Sequence, residues 1–139
     1  MKVLLAGGSG IVGTLVIPFL KKNHTLRVFD RDAPADSSIE FQQGDITDPQ
    51  ALETAAKGMD AFIYLAMGNL EWEEWSGIDS AYDVNIKGLH FLFRTAAKQG
   101  ITQAVYCSSM SVYSDLRSRY FPDEEIPPDE TELYGFTKW

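Results

Sequence analysis

Cysteine is nearly absent from this chain, and the single one, Cys107, rules out a disulfide scaffold. A reducing compartment fits that usage, with the cytoplasm as the default. Cys107 falls in an apolar strand and reads as a small core residue. Histidine is almost as scarce. His24 and His90 have no carboxylate or cysteine partners at ligand spacing, so both read as surface or internally satisfied side chains, and no metal is expected. No apolar run approaches the length of a membrane span. The stretch from Met1 to Ala6 is too short, and too soon broken by glycine, for a signal peptide. An excess of positive charge is lacking as well: the net charge is −8, which argues against nucleic acid or an anionic membrane surface as partner. The charge is uneven. Residues 1–35 carry five Lys/Arg against Asp30 and Asp32, a net of +3, whereas residues 115–139 carry seven acids against Arg117, Arg119 and Lys138, a net of −4. Repeats and low-complexity tracts are absent. With 139 residues and 45% apolar content, one domain with a real core is expected.

What the chain does have is glycine in one place. Val3 to Ala6 reads as a buried strand, followed by four glycines in seven residues, Gly7, Gly8, Gly10 and Gly13. Ile11, Val12, Leu15, Val16, Phe19 and Leu20 then recur at helical spacing. Strand, glycine turn and helix is the context a dinucleotide site requires. The glycines supply a tight turn, close backbone approach to a pyrophosphate, and close packing of helix on strand. Free N–H groups at the helix start face the phosphates. A glycine pattern alone is weak, but Leu26 to Asp30 reads as a second strand ending in an acid 20 residues after Gly10. A carboxylate there can bind the adenosine ribose hydroxyls. A structural turn with an unrelated surface aspartate is the lesser alternative.

Further along, strand and helix alternate, the pattern of a parallel α/β sheet. The first helix is expected to run to about Lys22, with Asn23 as a left-handed cap and Pro18 kinking it or weakening one turn. Ile39 to Gly44 is a third strand. Asp48-Pro49 starts a helix that Gly58 closes. Ala61 to Ala66 is a fourth strand, and residues 67–77 form a loop whose Trp72 and Trp75 either serve a ligand or, slightly favoured, pack beneath it. A long helix spans about Ser80 to Gln99, with Val84, Gly88 and Leu92 on one face, and Ala104 to Ser108 is the fifth strand. The expected spatial order is 3-2-1-4-5, a doubly wound, Rossmann-like α/β fold with the cofactor across the carboxyl end of strand 1.

Chemistry gathers at the end of the chain. Tyr134 and Lys138, four apart, share a helix face. Tyrosine phenols ordinarily titrate near ~10, and a neighbouring ammonium favours the phenolate. A serine hydroxyl near the phenol can hold a substrate oxygen. Tyr-x-x-x-Lys by itself is a frequent chance match.

Six motifs in order carry more weight: Gly7-x-x-Gly10-x-x-Gly13 with Asp30, Gly44 to Asp48, Tyr64-Leu65-Ala66, Val84-Asn85-Ile86-x-Gly88, Ser108-Ser109-x-x-Val112-Tyr113, and Tyr134-x-x-x-Lys138. On these the chain resembles the amino-terminal part of the extended short-chain dehydrogenase/reductases, the NAD-dependent epimerase/dehydratase family, over nearly its whole length. The resemblance implies Tyr134 as acid/base, Lys138 on the nicotinamide ribose, and Ser109, rather than Ser108, bonded to the reacting oxygen. It places Gly7, Gly10, Ile11, Val12 and Gly13 at the pyrophosphate, Asp45 and Ile46 beside the adenine, Leu65 and Ala66 along the cofactor groove, and Asn85 as an ordering residue. Asp30 favours NAD, and Arg31 beside it keeps NADP open. The implied substrate is a nucleotide sugar or another hydroxyl or carbonyl compound, undergoing hydride transfer. The chain departs from the family in stopping at Trp139, so it reads as a truncated form lacking the substrate region. Tyr64 stands where histidine is common, and Ser114 where glycine is. Two other readings stay open: a non-catalytic dinucleotide-binding or redox-sensing module, and a subunit that covers an exposed apolar face with a partner, for instance as a homodimer.

Overall fold

The computed structural model describes residues 1–69, 71, 73–114 and 125–139. Trp72, with its alternative roles, and Arg117 and Arg119 lie outside them. Five short segments form parallel strands: β1 (Lys2–Ala6), β2 (Thr25–Asp30), β3 (Glu40–Gln43), β4 (Ala61–Tyr64) and β5 (Gln103–Tyr106). They lie in the order β3-β2-β1-β4-β5, as the alternation of strand and helix requires. Side chains of a strand alternate between faces, and the register makes each face apolar: Leu5 lies beside Val28 and Ile63, and Leu4 beside Phe62.

One face carries Leu4, Ala6, Phe29, Phe62 and Tyr64, packed under Leu52 and Ala55 of α2 (Pro49–Ala55) and Leu92 and Ala96 of α4 (Leu89–Gln99). The other carries Val3, Leu5, Leu26, Val28 and Ala61 under Ile17 of α1 (Ile11–Leu20). Asp48 begins α2 by accepting from the N–H groups of Gln50 and Ala51 at 2.9 and 3.3 Å. Arg27, reaching across from β2, ends it by donating to the carbonyls of Ala55 and Lys57 at 2.7 and 3.0 Å. A positive charge is favourable at that helix end.

Several expectations need correction. Asn23 is not a left-handed cap: α1 stops at Leu20, Lys21 is right-handed, and among the described residues only glycines have positive φ. Pro18, by contrast, does weaken one turn: it lies inside α1 on the exposed side, and having no N–H it leaves that turn one backbone bond short. The long helix starts earlier than Ser80, with α3 (Trp75–Ala81) running through a π-helical turn (Tyr82–Gly88) into α4, which ends at left-handed Gly100 (φ 73°). Trp75 opens α3 at 80% exposure and does not pack beneath the loop. Cys107 follows β5, half-buried, and is not a core residue. Among the described residues a 3-10 turn (Met110–Val112) and α5 (Leu133–Thr137) follow, Lys138 capping α5.

Candidate functional site

The glycine turn is shaped by contacts that admit no side chain. Gly7 has φ +84°, and a Cβ on it would meet the backbone of Ala66 at 2.4 Å. At Gly13 a Cβ would meet the Gly8 carbonyl oxygen at 2.0 Å, so helix and turn lie backbone to backbone. The first bond of α1 runs from Thr14 N–H to Gly10 O at 2.9 Å. The N–H groups of Ile11, Val12 and Gly13 precede it and have no carbonyl within the helix to reach.

Asp30, at the end of β2, braces this turn. Its carboxylate accepts from Ser9 N–H at 2.9 Å and from Arg31 N–H at 2.7 Å. A carboxylate has about four lone-pair sites, so acceptor capacity remains for a hydroxyl. Ser9 Oγ donates to the Asp32 carbonyl at 2.6 Å, fixing the turn to the end of the strand.

These residues line one side of a cavity of about 590 Å³ at the carboxyl ends of the strands. Gly7, Gly10, Ile11 and Val12 come from the turn, Asp30 and Arg31 from β2, Asp45 and Ile46 from beyond β3, Leu65 and Ala66 from beyond β4, and Tyr134 and Lys138 from α5. The carboxyl of Asp45 is held below its usual range, chiefly by the Thr47 N–H, with the Thr47 hydroxyl and the charge of Arg31 adding to it and partial burial opposing.

Three expected residues do not line this cavity. Gly13 sits behind the turn as a spacer. Asn85, 2% exposed, lies beneath it: its Oδ1 accepts from Gly68 N–H at 3.0 Å and its Nδ2 donates to Thr137 Oγ1 at 2.9 Å. Ser109 caps the 3-10 turn, its Oγ accepting from Ser111 N–H at 3.1 Å. That bond uses a lone pair of the hydroxyl, not its proton.

A second cluster along the cavity is tied together by α5. Thr137 Oγ1 donates to the Tyr134 carbonyl at 3.0 Å, Tyr106 donates to the Thr137 carbonyl at 3.4 Å, and Ser108 Oγ to the Lys138 carbonyl at 2.7 Å. Lys138 is only 4% exposed and its ammonium lies 5.5 Å over the Tyr106 ring. Burial pulls its pKa below the ordinary lysine value, with the Cys107 thiol opposing. Tyr106 is pushed up to about 12, first by burial and then by the neighbouring Tyr134 phenol and Cys107.

The cavity also takes in Ser9, Asp32, Met67, Val84 and Cys107, which sequence reasoning did not assign to it, and Ser108, the lesser candidate beside Ser109. For Met67, Cys107 and Ser108 the available signal was position, just past the carboxyl end of a parallel strand. Val84 had none, because the π-helical turn rotates it. Among the described residues no three His, Cys, Asp or Glu side chains cluster as metal ligands would, and no helix is long and apolar enough to cross a membrane.

Comparison with known proteins bears on the family and the fold. The chain is similar to N-acetyl-alpha-D-glucosaminyl-diphospho-ditrans,octacis-undecaprenol 4-epimerase of Escherichia coli O157:H7, 31% identical over 99% of this chain and 40% of the relative. It is 34% identical to a 3 beta-hydroxysteroid dehydrogenase/Delta 5-->4-isomerase of Mycobacterium tuberculosis, again over 99% of this chain and 40% of that one. The chain thus spans about two-fifths of the length of these relatives. Among solved structures, a short-chain dehydrogenase/reductase superfamily protein from Agrobacterium tumefaciens with bound NAD superposes with a TM-score of 0.86 at 31% identity, covering 99% of this chain and 42% of that one. A family model matches residues 3–139, and with it the chain belongs to the NAD dependent epimerase/dehydratase family.

Proposed function

We propose that the chain is the NAD-binding, amino-terminal part of an enzyme acting by hydride transfer on a hydroxyl or carbonyl carbon, of a nucleotide sugar or a similar compound. One observation carries the reading: a single cavity joins a turn that admits no Cβ at Gly7 or Gly13, the Asp30 carboxylate, and the Tyr134–Lys138 pair. The donor set fits a dinucleotide. Backbone N–H groups of Ile11 and Val12 would take the pyrophosphate. Asp30 would take the ribose hydroxyls, and its charge would repel a 2′-phosphate, while Arg31 at the same rim leaves NADP as a weaker ligand. Asp45 and Ile46 would flank the adenine, with Leu65 and Ala66 along the groove.

Bound there, NAD would supply a two-electron acceptor at its nicotinamide carbon. Tyr134 would hold or release the proton at its phenol oxygen, Lys138 would anchor the adjacent ribose through its ammonium, and Ser109 would donate its hydroxyl proton to the substrate oxygen. The relatives named as an epimerase and a dehydrogenase support this class of reaction. Their greater length supports placing substrate recognition outside these residues.

Calorimetric titration with NAD and, separately, NADP tests the reading. NAD binding at least tenfold tighter than NADP is expected, and absence of binding to both would overturn it. The position of Ser109 outside the cavity wall favours a second reading, a module that binds NAD without turnover. In a chain extended through the substrate region, NAD binding without any reduction across a panel of UDP-sugars would support that alternative.

A further inference from the structure

The π-helical turn between α3 and α4 has a partner in the strand beneath it. In a continuous α-helix the Val84 carbonyl would accept from the Gly88 N–H. Over Tyr82–Gly88 each bond reaches one residue further, which shifts the register of every side chain beyond it. Tyr64, the last residue of β4, is fully buried, and its hydroxyl donates to that same Val84 carbonyl at 2.5 Å. Gly88 leaves room for it: a Cβ there would lie 2.8 Å from the Tyr64 hydroxyl oxygen and 3.0 Å from Cγ2 of Ile46. Tyr64 and Gly88 do not line the main cavity, yet Val84 and Ile46, which they hold in place, both do. The next residue, Asn85, carries the bonds to Gly68 and Thr137 and so ties the turn to α5.

We propose that Tyr64 is a positioning residue for the cofactor cavity, its hydroxyl bond to the Val84 carbonyl fixing the register that sets Val84 on the wall and Asn85 between Gly68 and Thr137. This rests on the cavity being an NAD site. The phenol suits a permanent donor, because burial raises its pKa well above the tyrosine value and keeps the proton in place. One hydroxyl tilts several residues at once, since each is bonded to the next across two elements.

The test pairs NAD titration with amide hydrogen exchange over residues 82–89, in the wild-type chain, in Tyr64→Phe, and with 4-aminophenylalanine at position 64. Tyr64→Phe keeps the ring and removes only the hydroxyl. We expect its NAD dissociation constant to rise about three- to tenfold, the range of one lost hydrogen bond, and exchange over 82–89 to accelerate. The para-amino group restores a donor at the same place and should rescue both readouts, which restored packing alone would not do. Should Tyr64→Phe fail to fold, Gly88→Ala displaces the hydroxyl from the other side and carries the same expectation. NAD affinity within twofold of wild type, unchanged exchange over 82–89, or no rescue by the amino group would each overturn the proposal. A wild-type chain that binds no NAD would overturn the site reading instead, and the exchange measurement would still decide whether the hydroxyl holds the turn.

Discussion

Gly13→Ala separates packing from backbone strain at the centre of the site. The position is helical, so alanine meets no conformational objection, and an interior Gly→Ala change gains ~1 kcal/mol of helix propensity. The added Cβ, however, would sit 2.0 Å from the Gly8 carbonyl oxygen and 2.4 Å from its carbon, where real Cβ atoms essentially never come within 3.0 Å. Helix and turn must part by about 1 Å. The turn cannot retreat, because Gly8 already rests on Val28 and Leu5: a Cβ of its own would lie 2.9 Å from Cγ2 of Val28 and 3.0 Å from Cβ of Leu5. So α1 must move outward, lifting Ile17, 3% exposed, from its cluster. Overpacking costs about 1–3 kcal/mol, and with backbone on both sides the upper end applies. Set against the propensity gain, the net loss is ~2 kcal/mol. Movement of the helix start also withdraws the N–H groups of Ile11 and Val12, so NAD affinity should fall about tenfold or more, ~1.4 kcal/mol. Urea unfolding followed by circular dichroism, beside an NAD titration, reads both. Gly58→Ala is the control: nothing lies within 4 Å of its Cβ, and only φ +73° opposes the change, so it should cost ~1 kcal/mol and leave NAD binding intact. A Gly13→Ala chain more stable than wild type with unchanged NAD affinity would refute the packing argument.

Three further outcomes follow from the site. Asp30→Ala should weaken NAD more than NADP, since it removes both the ribose acceptor and the charge facing a 2′-phosphate; equal losses for the two cofactors would end the case for Asp30. Lys138 has a folded pKa below its unfolded value. The unfolded chain therefore binds more protons between those two values, and its stability should rise with pH there. Lys138→Met should remove that rise without lowering stability at neutral pH, and an unchanged alkaline profile in unfolding titrations would contradict the burial of the ammonium. Cys107 lines the cavity half-buried, so bound NAD should slow its alkylation by iodoacetamide several-fold by mass spectrometry, and equal rates would remove it from the wall.

The parts of this molecule legible in sequence were those set by period and backbone. Alternating strands and helices give the sheet order, because parallel neighbours need crossovers. The two faces of β1 follow from alternation, and the glycine turn and Asp30 from spacing. Less legible was whatever depended on an added residue or an exposed edge. The π-helical turn leaves no mark on hydrophobic spacing, yet it decides that Val84 meets the cavity while Asn85 lies beneath it. Cys107 looked like core because its neighbours are apolar, but β5 is an edge strand, with Val105 57% exposed, and it ends before Cys107. Trp75 looked like a loop residue because tryptophan at a solvent-facing helix start has no local signature.

The two ends of the cavity are held by different physics, and their responses to substitution should differ in kind. At the glycine turn the walls are backbone against backbone: Gly7 against Ala66 and Gly13 against Gly8. No rotamer can relieve such a contact, so any Cβ moves a whole element. At the α5 end the contacts are side-chain hydrogen bonds in series, Ser108 to Lys138, Tyr106 to Thr137, and Asn85 to both Thr137 and Gly68. Each is worth about 0.5–1.5 kcal/mol when lost cleanly, and more when a buried partner is stranded. Asn85 is the exception in that series. It is buried, and its loss strands the Gly68 N–H and the Thr137 hydroxyl together, so it joins the groove wall beyond β4 to the helix bearing Tyr134 and Lys138. The glycine-turn end is therefore held by contacts that only the movement of a whole element can relieve, and the α5 end by hydrogen bonds that can be lost singly, Asn85 excepted.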